Sequence, residues 1–354
     1  MSLYGIIAPI LRIPDFQSLA DATRSHALVR ERGLGLLRAA RPALISALHC
    51  ELRWPIVYLT SSVELSRNAT DALKSIALTG AEQTSIPSYI QRFTEPNTAF
   101  YDTVAPVLDV TLQRSVALAS LSARGIESAE LPIIVASPRS LMHPTLPLAQ
   151  FRAATRVLRR DQTIGLESTL AHWVNLGYVN ESVVERIGAF SRRGGIIDVW
   201  PPAHTLPARI ELFGNQIESI RLFDPSTQRS GEMLDRLVIT PLESMRPADA
   251  PMATLLDYLG DNVLVVIDDE DELHDGWIAL ENKAERERET MLPTEEGEEP
   301  SRAAGAVSTP LANQPGAMVV PYVQWDAMAQ VIQRQTNVLV LGQAAGAPVL
   351  SRHP

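Results

Sequence analysis

Short apolar runs alternate with amphipathic stretches along the first part of the chain. Residues 56–60 (IVYLT) and 131–137 (LPIIVAS) are apolar on both faces of an extended chain, which predicts buried strands. Residues 61–77 begin with serine and repeat apolar side chains at helical spacing, and residues 16–50 are also mostly helical in pattern. The alternation of strand and helix predicts a parallel α/β domain over residues 1–145.

The pattern then changes to shorter elements with more turn residues. Residues 151–158 (FRAATRVL) alternate in polarity and predict an edge strand, whereas residues 166–178 predict an amphipathic helix. Residues 209–223 form two alternating runs separated by Gly-Asn, which is typical of a β-hairpin. These elements predict a small α+β domain over residues 146–232.

The last part of the chain returns to the first pattern. Buried strands are predicted at 262–267 and 337–343, and helices at 250–260, 271–289 and 324–335. The sequence therefore predicts an α/β fold in which a split parallel-sheet domain, residues 1–145 and 233–354, surrounds the inserted α+β domain. Residues 290–316 are rich in Pro, Gly, Glu and Ser, which predicts a flexible loop.

Charge and composition exclude several classes of function. The chain has 31 basic and 41 acidic residues, a net charge of −10, which disfavours general binding to nucleic acid or membrane surfaces. The single cysteine excludes a disulfide within the chain, and the seven histidines have no metal-binding spacing, so we expect no metal site. Without an apolar run of membrane-spanning length or a signal-peptide pattern, the expected location is cytoplasmic.

One loop has the position of a phosphate-binding loop without its composition. Compared with G-x-x-x-x-G-K-[ST] from Gly35, the chain has Ala40 for the second glycine, Arg41 for lysine and Pro42 for serine or threonine. Pro42 removes the hydroxyl that would hold Mg²⁺ and also one backbone donor. We therefore expect this loop to be non-functional and the chain to bind no cofactor.

Asp268 and Asp269 follow an apolar run, which is the pattern of Mg²⁺-binding carboxylates in ATPases. Acidic residues at the start of a solvated helix explain the same pattern. A nucleotide hydrolase that uses the 33–44 loop together with these two aspartates is the alternative function.

The most informative stretch, residues 190–230, places five arginines around a small predicted sheet: Arg192, Arg193, Arg209, Arg221 and Arg229. On the predicted hairpin, Arg209, Glu211 and Phe213 share one face. An arginine beside an exposed aromatic ring is typical of a protein interface. Arginines that pair with nearby carboxylates and only solvate the sheet fit the spacing equally well.

Residues 192–202 (RRGGIIDVWPP) and 209–230 (RIELFGNQIESIRLFDPSTQRS) resemble the UvrB-homology module of the bacterial transcription-repair coupling factors. Weaker similarity extends over residues 99–118, 166–178 and 255–273. The resemblance covers most of this chain but only the N-terminal third of the family. It implies a UvrB-like first domain that is split around a UvrB-like second domain.

The resemblance also implies a protein partner. In this family the module binds UvrA, the damage-recognition subunit of nucleotide excision repair. The UvrA-contacting positions of the family fall on Arg193, Arg209 and Phe213, and Glu211 matches a contact made by UvrB. The family's nucleotide loop in this module is degenerate, in agreement with the composition of the loop at Gly35.

ATP hydrolysis, DNA translocation and RNA polymerase binding belong to later domains of the family. Because the chain ends soon after the module, we expect it to reach RNA polymerase and DNA only through such domains. The resemblance thus predicts a non-catalytic UvrA-binding adaptor that recruits the excinuclease to a lesion-stalled polymerase. The alternative function is that of a nucleotide-dependent helicase or translocase-type enzyme related to UvrB.

Overall fold

The computed structural model describes residues 4–26, 35–78, 88–101, 107–122, 131–242, 251–291 and 320–342. The helices are α1 Tyr4–Ile10, α2 Pro14–Arg24, α3 Arg41–Leu52, α4 Val63–Leu78, α5 Leu108–Ser122, α6 Pro138–Met142, α7 Leu148–Ala154, α8 Leu166–Asn175, α9 Glu270–Met291 and α10 Trp325–Gln333. Single 3₁₀ turns occupy Arg38–Ala40 and Leu255–Tyr258. The strands are β1 Ile56–Leu59, β2 Ile90–Phe93, β3 Ile133–Ala136, β4 Arg156–Arg159, β5 Val179–Asn180, β6 Ala189–Arg193, β7 Ile196–Val199, β8 Ala208–Phe213, β9 Gln216–Phe223, β10 Ser230–Met233, β11 Arg236–Ile239, β12 Leu264–Ile267 and β13 Val338–Val340.

A five-stranded parallel sheet in the order β13-β12-β1-β3-β2 forms the centre of the larger domain. Every residue of β1, β3, β12 and β13 is buried, because helices cover both faces of the sheet. Strands β12 and β13 follow the inserted segment, whereas β1–β3 precede it. The predicted split α/β domain is therefore confirmed.

The inserted segment builds a six-stranded sheet in the order β10-β9-β8-β7-β6-β5, antiparallel except between β5 and β6. Helix α8 packs on one face through Trp173, which is buried against Phe190, Ile197 and Ile210 in one apolar cluster. Alternate side chains of the strands therefore point into this core, and the others point to the opposite face.

A second, two-stranded sheet closes the insert at its base. Strands β4 and β11 pair antiparallel, so the chain enters and leaves the insert side by side. Leu237 and Ile239 of β11 are buried in the same apolar cluster as Trp173. The boundary predicted at 232 therefore falls before a strand that packs with the insert.

Two predicted elements differ from the structure. Residues 151–158 do not form one strand, because α7 continues to Ala154 and buries Phe151 before β4 begins. Eight residues are too few for alternation to distinguish a strand from a helix turn. At 250–260 only one 3₁₀ turn forms, because Asp257 and Thr254 close a capping box and Leu259 returns to extended backbone.

The stretch predicted to be mostly helical at 16–50 forms α2 and α3, but residues 35–37 are not helical and Arg38–Ala40 form a 3₁₀ turn. The helices predicted at 61–77, 166–178 and 324–335 correspond to α4, α8 and α10. The first two residues of the loop predicted at 290–316 belong to α9, and the rest of that range lies outside the described residues. Among the described helices, none combines the length and apolar character that crossing a bilayer requires.

A candidate protein-interaction face on the inserted domain

The β8–β9 hairpin carries three of the four predicted contact residues, Arg209, Glu211 and Phe213. Gly214 and Asn215 form its two-residue turn, and Gly214 has φ = 62°, which favours glycine. Phe213 precedes this turn and is 79% exposed, the largest value among the exposed aromatic side chains that the structure describes. The predicted hairpin is confirmed, and it presents an aromatic ring at its tip.

Strand register brings the other predicted residues onto the side of the sheet opposite α8, here called the open face. Arg193 lies opposite Ile196, Ile196 opposite Glu211, and Glu211 opposite Ser219. Directly opposed residues in an antiparallel sheet project to the same face. Since Arg209, Glu211 and Phe213 alternate along β8, the open face contains all four predicted contacts.

Arg209 is held within the sheet. Its Nε donates to Asp198 Oδ1 at 2.7 Å and its Nη2 donates to Asp198 Oδ2 at 2.8 Å, and Nη1 donates to the Gln228 carbonyl at 3.3 Å. The guanidinium carbon lies 4.8 Å from the Phe223 ring centroid. The hydrogen bonds with Asp198 raise the pKa of Arg209, and the side chain is only 20% exposed. This arginine is thus oriented by its own domain.

Arg193 and Glu211 are held more loosely. Arg193 is exposed, and its Nη2 donates to the Ser182 carbonyl at 2.9 Å. Glu211 is half-buried, and its Oε2 accepts from the Ser219 hydroxyl at 2.6 Å. Both side chains therefore retain hydrogen-bonding capacity toward solvent or a partner.

Sequence reasoning missed Asp198, the carboxylate that pairs with Arg209. The register makes Asp198 the direct cross-strand neighbour of Arg209. Arg192 points to the other side of the sheet and pairs with Glu167 at 2.6 Å. Knowledge that β7 pairs with β8 would have identified the Asp198–Arg209 pair. The periodicity of the sequence does not reveal which strands pair.

The degenerate phosphate loop lies at the carboxyl edge of the parallel sheet. Gly35 has φ = 62°, and Ala40 ends the 3₁₀ turn that leads into α3, where Arg41 and Pro42 are the first residues. Arg41 Nη1 lies 2.7 Å from Asp268 Oδ1, and Arg38 Nε donates to Asp268 Oδ2 at 3.2 Å. Two guanidinium groups therefore contact the carboxylate of Asp268.

Further contacts complete this arginine–aspartate cluster, which we define as Arg38, Arg41, Tyr58, Asp268 and Glu272. The Tyr58 hydroxyl donates to Asp268, and burial together with that carboxylate raises the pKa of Tyr58. Arg38 Nη2 lies 2.7 Å from Glu272 Oε2 and lowers the pKa of Glu272. Asp268 is 1% exposed, and the positive charges of Arg38 and Arg41 balance its negative charge inside the protein.

The second aspartate of the predicted magnesium pair has a structural contact. Asp269 Oδ1 accepts from the Glu272 backbone N–H at 3.1 Å at the start of α9. Within the described part of the chain, no group of His, Cys, Asp and Glu side chains is arranged to hold a metal ion.

Part of this chain matches a known protein family, and longer stretches of it are similar to individual proteins. The UvrB interaction domain family matches residues 157–244, which include the whole open face. A transcription-repair-coupling factor of Myxococcus xanthus is 32% identical over 236 residues, which is 66% of this chain and 19% of that protein. One from Bacillus subtilis is 28% identical over 250 residues, 68% of this chain and 19% of that protein. One from Staphylococcus epidermidis is 45% identical over 94 residues, 27% of this chain and 8% of that protein.

The chain thus spans about a fifth of the first two of these relatives. The match over 157–244 includes β11 and all of β4 except Arg156, so the limits of the match agree closely with the two-stranded base of the insert. Residues 157–244 thus match the UvrB interaction domain family, and about two thirds of the chain is similar to transcription-repair-coupling factors.

Proposed function

We propose that this chain is the UvrA-binding adaptor part of a transcription-repair-coupling factor and that it binds UvrA through the open face. The observation that carries the proposal is the position of Phe213, 79% exposed at the hairpin tip within the UvrB interaction domain. Removing an exposed phenyl ring from water is favourable, so a partner that covers Phe213 gains binding energy. Large rings beside arginines dominate the binding energy of many interfaces.

The chemistry of the face suits a partner with an apolar pocket and acidic groups. Phe213 fills the pocket, and Arg193 supplies charge-assisted hydrogen bonds beside it. Arg209 contributes one side of its guanidinium group, which Asp198 and Phe223 already hold in position. Glu211 accepts a hydrogen bond or pairs with a cation of UvrA.

In this role the chain recruits the excinuclease to a polymerase that has stalled at a lesion. The relatives are far longer than the matched region, and we propose that RNA polymerase and DNA contact the remainder of such a protein. The open face would then be the link between the transcription machinery and UvrA.

We further propose that the chain hydrolyses no nucleotide. A P-loop enzyme needs a free carboxylate for Mg²⁺ and a lysine for the phosphates. In this chain, Arg41 and Arg38 lie against Asp268. Isothermal titration with ATP and Mg²⁺ is expected to show no binding, and saturable binding lost in the Asp268→Asn variant would favour the enzyme alternative.

Titration of purified UvrA into the chain tests the adaptor proposal. Phe213→Ala is expected to weaken binding about thirtyfold, which corresponds to loss of about 2 kcal/mol from a central interface contact. Arg193→Ala is expected to weaken binding about tenfold, because its exposed charge is less completely removed from water. Neither change alters the thermal unfolding of the chain, since both side chains are exposed.

Arg192→Ala is the matched control. This arginine adjoins Arg193 but points to the α8 side, where it pairs with Glu167. Its removal is expected to leave UvrA affinity unchanged. Wild-type affinity in both Phe213→Ala and Arg193→Ala would overturn the assignment of the open face.

A further inference from the structure

We infer that Ile196 is a second apolar anchor of the open face and that the partner covers it together with Phe213. This inference rests on the proposed function and adds a residue that the resemblance does not assign. Its starting point is a large apolar side chain that the fold exposes at the first residue of a central strand.

Ile196 is exposed although its strand lies inside the sheet. Strand β7 lies between β6 and β8, so neither of its edges faces water. Ile197 points into the core and is fully buried, whereas Ile196 points outward and is 40% exposed. On the same face, a small cluster of Val184, Ala189 and Phe223 covers the far end of the sheet. The end with Ile196 is left open.

The register places Ile196 at the centre of the predicted contacts. Arg193 lies opposite it on β6, and Glu211 lies opposite it on β8. Phe213 is two residues beyond Glu211, which makes Phe213 a diagonal neighbour of Ile196. Diagonal neighbours lie close enough for one apolar group of a partner to contact both side chains.

The turn beside Ile196 leaves access to it free. Gly194 and Gly195 precede Ile196, and Gly194 has φ = 62°. A Cβ at Gly195 would lie 3.1 Å from the Leu212 carbonyl, so a larger residue is disfavoured there. Two residues without side chains therefore separate Arg193 from Ile196 and do not shield the isoleucine.

These features define the occupant by its chemistry. It is a protein surface with a continuous apolar ridge that contacts Ile196 and Phe213, an acidic group that reaches Arg193, and a donor that reaches Glu211. Apolar anchors enclosed by polar groups that exclude water are the common arrangement of binding hot spots. We take this occupant to be UvrA.

The Ile196→Thr variant tests the inference. Threonine keeps the β-branched shape that suits a strand but replaces a methyl-bearing arm with a hydroxyl group. UvrA affinity is expected to fall about tenfold, and the thermal unfolding temperature is expected to stay unchanged. Val157→Thr is the matched control, since Val157 is also 40% exposed and lies on β4, outside the six-stranded sheet.

The possible outcomes separate this inference from the proposed function. If Phe213→Ala weakens UvrA binding and Ile196→Thr does not, the second anchor is wrong while the adaptor proposal stands. If neither variant weakens it, the open face itself is wrong. If sedimentation shows a dimer of the free chain that Ile196→Thr dissociates, a second copy is the occupant and the inference is overturned.

Discussion

Two regions of the chain use the same chemical pair for different purposes. In the parallel-sheet domain, Asp268 contacts Arg38 and Arg41. In the insert, Asp198 contacts Arg209 through both carboxylate oxygens. The two aspartates are similarly buried, yet Asp268 contacts two arginines of its own domain, whereas Asp198 contacts one arginine beside a face that stays exposed.

The two regions differ in whether the arginines near the aspartate are paired with carboxylates of the same chain. Around Asp268, a second carboxylate, Glu272, pairs with Arg38, and the Tyr58 hydroxyl also donates to Asp268. On the open face, Arg193 contacts only a backbone carbonyl among its described hydrogen bonds. The comparison teaches that a cluster of arginines indicates a binding surface only where carboxylates of the same chain leave some of the cations unpaired.

The largest expected effect comes from removing Asp268. Asp268→Ala removes the carboxylate that contacts Arg41, whose side chain is 8% exposed, and the expected loss is about 3 kcal/mol of unfolding free energy. Denaturant titration measures this loss. Asp71→Ala, at an exposed position on α4, is the control and is expected to change stability by less than about 0.5 kcal/mol. A loss in Asp268→Ala no larger than that of the control would show that the cluster is not structural.

Removing Asp198 should have a smaller effect. Asp198→Ala frees Arg209, but that side chain is 20% exposed and can gain water, so we expect a loss of about 1–2 kcal/mol. The same denaturant titration compares the two variants directly. If Asp198→Ala proves as costly as Asp268→Ala, the two regions do not differ as described here.

The smallest expected effect concerns Glu272. Its ion pair with Arg38 has both side chains almost half exposed, so solvent screens the pair and Glu272→Gln is expected to cost less than about 0.5 kcal/mol at pH 7. Because Arg38 lowers the pKa of Glu272 below the usual 4.5 in the folded state, this contribution is present above pH 4.5 and is lost as the pH falls through the lowered value. Unfolding of both proteins at pH 7 and at low pH should show a difference only at pH 7. A larger difference at low pH would contradict the assigned sign.

Much of the fold follows from local patterns in the sequence. Runs such as Ile56–Leu59 and Leu264–Ile267 predict buried strands because they are short, rich in β-branched residues and apolar at four consecutive positions, as in a sheet covered on both faces. Their order in the sheet does not follow in the same way. β1 pairs with β12, which lies beyond the whole insert, and only tertiary packing decides that neighbour.

The candidate site, like the fold, follows only in part from local sequence. Alternation along β8 predicts that Arg209, Glu211 and Phe213 share a face, and the register agrees. The partner of Arg209 could not be predicted, because Asp198 lies on a different strand, across a connection whose geometry periodicity does not fix. The pairing of Arg38 with Asp268 spans 230 positions and is equally invisible in local sequence.

Amide hydrogen exchange of the chain with and without UvrA tests the central claim most directly, because it compares the two regions in one experiment. The account predicts slower exchange on binding at Arg193–Ile196 and at the tip of the β8–β9 hairpin. It predicts unchanged exchange at residues 35–42 and in the first turn of α9. Protection confined to residues 35–42, with none at the hairpin, would contradict it.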